Sequence, residues 1–214
     1  MKFQAVIFDL DGTLLDTLGD LAAAVNHALA AHGFPLRTKD EVREFVGNGI
    51  GNLIARSVPS GTDEPTTAAC LADFRTYYAA HMMVHTAPYP GVIPLLDRLR
   101  AAGVAVGVVS NKIDFAVKEL CAHYFGDRVA VAIGECEGLR RKPAPDTVHK
   151  ALTELGVTAE QAVYVGDSDV DIRTAENSGM PCISVDWGFR SRAFLLENGA
   201  AVIASTAEEL EALL

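Results

Sequence analysis

A short apolar run, Ala5-Val6-Ile7-Phe8, ends abruptly in Asp9-Leu10-Asp11-Gly12-Thr13-Leu14-Leu15-Asp16. The run suits a buried strand. Alternation puts Asp9 and Asp11 on one side of it, close enough to repel. Two carboxylates at the end of such a strand cost stability unless a cation or a reaction uses their charge. The chain must therefore fold so that its first strand ends at a polar site.

The remaining sequence is compatible with such a fold. From residue 17 to 84 the texture is helical. Thr17 and Asp20 have the spacing of a capping box, and Leu18, Leu21, Ala22, Val25 and Leu29 keep helical spacing as far as Gly33. Further helices fit residues 38–46, 51–58 and 66–83, with the Gly/Asn-rich turn Val46-Gly47-Asn48-Gly49-Ile50-Gly51 between the first two of these. Ala87-Pro88-Tyr89-Pro90-Gly91 reads as a linker. Beyond it, strands at 104–109, 129–133, 162–165, 182–185 and 201–204 alternate with helices at 92–102, 113–123, 145–155 and 169–177, and a last helix closes the chain. Continuous apolar strands alternating with helices predict an α/β fold: a three-layer, Rossmann-like parallel sheet covered on both faces. Residues 1–16 and 85–214 form this core, and residues 17–84 are an inserted helical-bundle cap domain. Ligands of open α/β sheets bind beyond the carboxyl ends of the strands, which is where the insertion enters.

Composition narrows the partners. The net charge of −10 argues against nucleic acid and anionic membrane. Cys70, Cys121, Cys136 and Cys182 lack CxxC spacing and read as reduced, buried thiols. The histidines show no metal-ligand spacing. No apolar run approaches the ~18 residues of a membrane span, and the N-terminus has no signal-peptide pattern, so a cytoplasmic location is expected.

Four strand ends carry reactive residues: Asp9 and Asp11; Ser110-Asn111-Lys112; Lys142, within Arg140-Arg141-Lys142-Pro143; and Gly166-Asp167-Ser168-Asp169-Val170-Asp171. Singly, each has a plain structural reading as a turn, an N-cap or a solvated side chain. Together, in one α/β domain, they form a set suited to phosphoryl transfer. Asp9 and Asp167 suit Mg²⁺, which prefers oxygen ligands. A carboxylate can accept a phosphoryl group covalently. Lys142 and the Ser110 hydroxyl suit the charged phosphoryl oxygens. Asp11 suits a proton donor to the leaving alkoxide and a base toward the hydrolytic water.

These motifs resemble those of the haloacid dehalogenase superfamily of phosphatases over the whole chain: Asp9-x-Asp11-Gly12-Thr13, Val108-Val109-Ser110-Asn111, Lys142-Pro143 and Gly166-Asp167-Ser168-x-x-Asp171. The resemblance implies Asp9 as nucleophile and Asp11 as acid/base, with Ser110 and Lys142 completing the catalytic set. It implies Mg²⁺ on Asp9, the Asp11 carbonyl and Asp167, with Asp171 ordering metal water or Lys142. It places substrate at Gly12, Thr13, Asn111 and Lys112, and at the cap turn Gly47, Asn48 and Gly49. Residue 11 separates branches, because the dehalogenases and phosphonate hydrolases of the superfamily lack an Asp there. The cap turn, Tyr89-Pro90-Gly91-Val92, Ser110-Asn111-Lys112 and Trp187-Gly188-Phe189-Arg190 resemble the branch that hydrolyses phosphoglycolate.

The expectation is thus a Mg²⁺-dependent phosphatase of a small phosphorylated metabolite, as monomer or homodimer. The first choice of substrate is 2-phosphoglycolate. Pyrophosphate, a nucleotide or a sugar phosphate is the alternative substrate. A phosphomutase or a catalytically idle phosphometabolite sensor is the alternative role.

Overall fold

The computed structural model describes residues 2–47 and 49–214. The chain runs through β1 (Ala5–Phe8), β2 (Leu15–Asp16), α1 (Leu18–Ala31), α2 (Lys39–Phe45), α3 (Ile50–Ser57) and α4 (Glu64–His81). It continues with β3 (Ala87–Pro88), α5 (Val92–Ala101), β4 (Ala105–Ile113), α6 (Asp114–Tyr124), β5 (Val131–Glu135) and α7 (Asp146–Leu155). β6 (Ala162–Gly166), α8 (Asp169–Asn177), β7 (Cys182–Val185), α9 (Arg192–Glu197), β8 (Ile203–Ala204) and α10 (Ala207–Leu213) complete it. The chain divides into two compact units, one reaching Asp16 and resuming at Pro88–Leu214, the other Thr17–Ala87.

The first unit holds a parallel sheet in the order β5-β4-β1-β6-β7-β8. β1 lies at its centre, with Phe8 level with Val108 on one side and Val165 on the other. All four β1 residues are fully buried, as expected for a strand flanked by helices on both faces. On one face Ile7, Val109, Ile133 and Tyr164 pack with Val148, Ala151 and Leu152 of α7 and Ala175 of α8. α5 and α6 also contact the sheet, and right-handed crossovers put them on the other face. The strand order changes direction beside β1: successive strands build outward to β5, and the chain then returns to place β6 on the other flank. That switch point is where a crevice opens beyond the carboxyl ends.

β4 runs further than its apolar residues suggest. It continues through Ser110, Asn111 and Lys112 to Ile113, with a register shift against β5 between Val109 and Ile113. The polar residues that read as the end of a strand are thus held on it. α9, absent from the expected element list, is a short helix capped by the Ser191 hydroxyl.

The second unit is helical. α1 and α4 pack along each other, burying Leu21, Val25, Ala28 and Leu29 with Cys70, Phe74 and Tyr78 in the unit's core. Thr38 caps α2 in a reciprocal box with Glu41, and Asp63 caps α4. The capping box expected at Thr17 and Asp20 does not form, because the Thr17 side chain makes no cap bond. Asp20 instead accepts from the N–H groups of Val84, His85 and Thr86 and from the Thr86 hydroxyl, at 2.8–3.1 Å. A buried carboxylate needs such donors. The bonds tie 84–86 to α1, so this unit runs on to Ala87, past the expected boundary at 84.

Candidate active site

The sheet delivers two carboxylates to one point. The Asp9 N–H donates to the Val165 carbonyl at 2.9 Å, continuing the β1–β6 ladder past the end of β1. Asp9 therefore sits beside Gly166 and Asp167. The chain then turns back on itself: Leu14 and Leu15 N–H groups both bond the Leu10 carbonyl at 3.0 Å, and Gly12 N–H bonds Leu15. Gly12 has φ of 89°, and a methyl there would overlap the Asp167 carboxylate. Only glycine meets both demands.

Lys142 is the cation at the centre. Its Nζ lies 2.8 Å from Asp9 Oδ1, 2.8 Å from Asp171 Oδ1 and 3.0 Å from the Tyr164 hydroxyl. The Tyr164 hydroxyl lies 2.9 Å from the same Asp171 oxygen. Asp171 Oδ2 accepts from the Ser168 N–H and hydroxyl. Both Asp171 oxygens are thus engaged within the protein, which suits a residue that holds Lys142 in place. Burial alone would lower the Lys142 pKa, but Asp171 and Asp9 outweigh it and hold the ammonium charged.

Asp167 is gripped from two sides. Its Oδ2 accepts from the Phe189 N–H at 2.7 Å, and Thr13 Oγ1 lies 3.4 Å from its Oδ1. A side chain at Gly188 would collide with the Gly12 carbonyl and the Asp167 side chain, so the loop after β7 packs directly on the carboxylate. Trp187 secures that loop by donating its indole N–H to the Thr13 carbonyl at 3.0 Å.

The site carries excess negative charge. Single oxygens of Asp9, Asp167 and Asp171 lie within 4.8 Å of one another, all buried. Burial pushes the Asp9 carboxyl up to about 7, with Asp171 and Asp11 adding repulsion and Lys142 opposing. Asp167 is raised well above the carboxylate range by burial and then by Asp171 and Asp9. One ammonium does not neutralise three such groups. An all-oxygen donor set with surplus negative charge fits a hard divalent cation. Asp171 spends both oxygens on Lys142, Tyr164 and Ser168, whereas Asp167 meets only one short N–H bond and a hydroxyl at 3.4 Å and Asp9 only Lys142, so Asp9 and Asp167 are the side chains that would hold it.

The strand β4 contributes differently from the expectation. Asn111 and Lys112, expected at the substrate, face protein partners. The Asn111 carboxamide pairs with the Lys142 backbone, and Lys112 Nζ lies 2.9 and 3.1 Å from the two Asp11 oxygens. The Ser110 hydroxyl is buried and accepts from the Lys112 N–H at 3.1 Å. Gly47 and Gly49 lie in the helical unit with φ of 129° and 88°, and Asn48 falls outside the described residues. Cys70, Cys121, Cys136 and Cys182 are free thiols. Burial pushes Cys121 and Cys182 up to about 12, which leaves them inert.

Two contributors escaped the sequence. Tyr164 sits in an apolar strand and read as core; its hydroxyl, buried deep in a parallel sheet, was the signal that a polar partner must be near. The Phe189 N–H is a backbone donor with no side-chain signature at all.

The family model of haloacid dehalogenase-like hydrolases matches residues 6–185. A phosphoglycolate phosphatase of Rhodospirillum rubrum is 35% identical over 208 residues, covering 94% of this chain and 86% of the relative. An N-acetylmuramic acid 6-phosphate phosphatase of Pseudomonas aeruginosa is 32% identical over 190 residues, covering 88% and 84%. A crystal structure from Lactobacillus delbrueckii subsp. bulgaricus, assigned by prediction as a phosphoglycolate phosphatase, superposes with a TM-score of 0.95 at 39% identity, covering 100% of this chain and 98% of the other. The chain belongs to the haloacid dehalogenase-like hydrolases. Within that family it is a phosphatase.

Proposed function

We propose that the enzyme hydrolyses 2-phosphoglycolate to glycolate and phosphate through an aspartyl-phosphate on Asp9, with Mg²⁺ as cofactor. The observation that carries the chemistry is Asp9 held by Lys142 beside Asp167 at the strand switch point. The similarity to phosphoglycolate phosphatases carries the substrate.

In this reading an Asp9 oxygen attacks phosphorus as the bond to the leaving oxygen breaks. Asp11 gives its proton to that oxygen, and the alcohol leaves. Asp11 then takes a proton from water, whose oxygen attacks the acyl phosphate, releasing phosphate and restoring Asp9. Asp9, Asp167 and the Asp11 carbonyl would hold Mg²⁺, which supplies charge neutralisation between nucleophile and phosphoryl oxygens. Lys142 orients Asp9 and opposes its protonation, and the Ser110 hydroxyl is the donor for a phosphoryl oxygen. A second reading, a sugar phosphate as substrate, is favoured by the Pseudomonas relative.

The test is phosphate release, with Mg²⁺, from 2-phosphoglycolate, pyrophosphate, nucleotides, sugar phosphates and N-acetylmuramic acid 6-phosphate. A kcat/KM for 2-phosphoglycolate well above the rest supports the assignment. Preference for another compound replaces the substrate, and no release from any compound overturns the proposal.

A further inference from the structure

Lys112 and Asp11 form a part-buried ion pair. We propose that Lys112 is a positioning residue that acts through Asp11, and that it exchanges no atom with the substrate. The inference rests on the reading of Asp11 as acid and base.

Lysine ordinarily carries its ammonium to water on a flexible stem. Here the residue is 7% exposed. Its Nζ meets both Asp11 oxygens, at 2.9 and 3.1 Å, so one cation holds both ends of the carboxylate. The main chain at Lys112 is itself anchored, since the Lys112 N–H donates to the buried Ser110 hydroxyl. β4 lies beside β1 in register, which fixes the root of Lys112 against the loop that carries Asp11. The cation at the nucleophile is a different one, Lys142. The two ammonium groups are thus divided between the two reacting carboxylates. Misplacing a proton-transfer group by ~1 Å costs roughly 10²-fold in rate, so a side chain that only orients Asp11 has a large effect.

Two steps use Asp11: protonation of a poor leaving group, and activation of water against the aspartyl-phosphate. Attack by Asp9 on p-nitrophenyl phosphate uses neither, because nitrophenolate leaves as a stable anion. K112M should therefore slow 2-phosphoglycolate from the first turnover, by roughly 10²-fold. With p-nitrophenyl phosphate it should give a rapid burst of nitrophenol followed by slow turnover, with phosphoenzyme accumulating. K112R, which keeps the cation, should recover part of the slow phase. The control is D11N, which should show the same burst.

A burst in D11N with none in K112M, together with a raised KM for both substrates, makes Lys112 a phosphate ligand and overturns this inference alone. Equal loss on both substrates without phosphoenzyme in either lysine variant makes its role merely structural and also overturns it. Absence of a burst in D11N overturns the role of Asp11 and the inference with it.

Discussion

The Asn111 side chain reads the Lys142 backbone as a base reads its partner: Nδ2 donates to the Lys142 carbonyl at 3.0 Å, and the Lys142 N–H donates to Oδ1 at 2.8 Å. The end of β4 thereby fixes where the central lysine enters the site. Asn111→Ala removes both bonds, worth about 1 kcal/mol each. The expected result is a loss of roughly 2 kcal/mol in denaturant unfolding and a fall in kcat/KM of about 10–100-fold, because Lys142 is no longer held on Asp9. Unaltered kinetics would mean that Lys142 finds its place without Asn111.

Lys142 itself is a structural as well as a chemical necessity. Lys142→Met would leave Asp9 and Asp171 buried with no cation between them. Breaking a buried pair by removing one partner costs about 3–5 kcal/mol. Thermal unfolding should show that loss in metal-free protein, and Mg²⁺ should restore part of it, since a bound cation relieves the same repulsion. A variant as stable as the parent without metal would contradict the charge balance described here.

The raised carboxyls predict a pH dependence with a definite sign. Asp9 moves from an ordinary 3.8 to about 7 on folding without metal, and Asp167 moves in the same direction. The folded protein then holds protons that the unfolded chain has released. This stabilisation is complete below about pH 4 and is lost as pH rises through about 7. In metal-free protein, Asp9→Asn should therefore become more stable relative to the parent as pH increases over that range. Mg²⁺ must displace those protons, so calorimetry near pH 6 in buffers of different ionisation enthalpy should detect proton release on binding. A flat difference between variant and parent, with no proton release, would contradict the shift.

Trp187 is the single tryptophan, and it sits on the loop whose Phe189 N–H holds Asp167. Its fluorescence should therefore change when Mg²⁺ binds, and saturate. Gly188→Ala pushes a methyl into Asp167 and should weaken that titration at least tenfold, the cost of about 1.4 kcal/mol of strain or misplacement. An equal Mg²⁺ response in the variant would detach the loop from the metal site.

How much of this was legible in the sequence follows from where chemistry shows as residue type. Asp9, Asp11 and Asp167 stood out because charged residues follow apolar strands, Lys142, in the loop between β5 and α7, stood out only as part of the motif set, and the α/β alternation gave the sheet. Contacts made by ordinary-looking residues did not show. Tyr164 passes for core packing until its hydroxyl is found between Lys142 and Asp171. Ser110, Asn111 and Lys112 read as lying past a strand that stops at 109 because they turn polar, and 113 read as the start of a helix, yet β4 carries on to Ile113, which pairs with β5. Thr17 and Asp20 had the spacing of a cap, but the carboxylate found better donors in 84–86, far away along the chain. Partner choice over such separations is a property of the packed fold.

The most direct test of the account is to find the phosphoryl group on the protein. Enzyme with Mg²⁺ and Asp11→Asn, to slow hydrolysis of the intermediate, would be mixed with p-nitrophenyl phosphate, quenched in acid within one turnover, and digested for peptide mass spectrometry. The account predicts one phosphorylated carboxylate, at Asp9, absent when Asp9 is replaced by Asn. Phosphate on another residue, or fast turnover with no phosphoenzyme at any time, would contradict it.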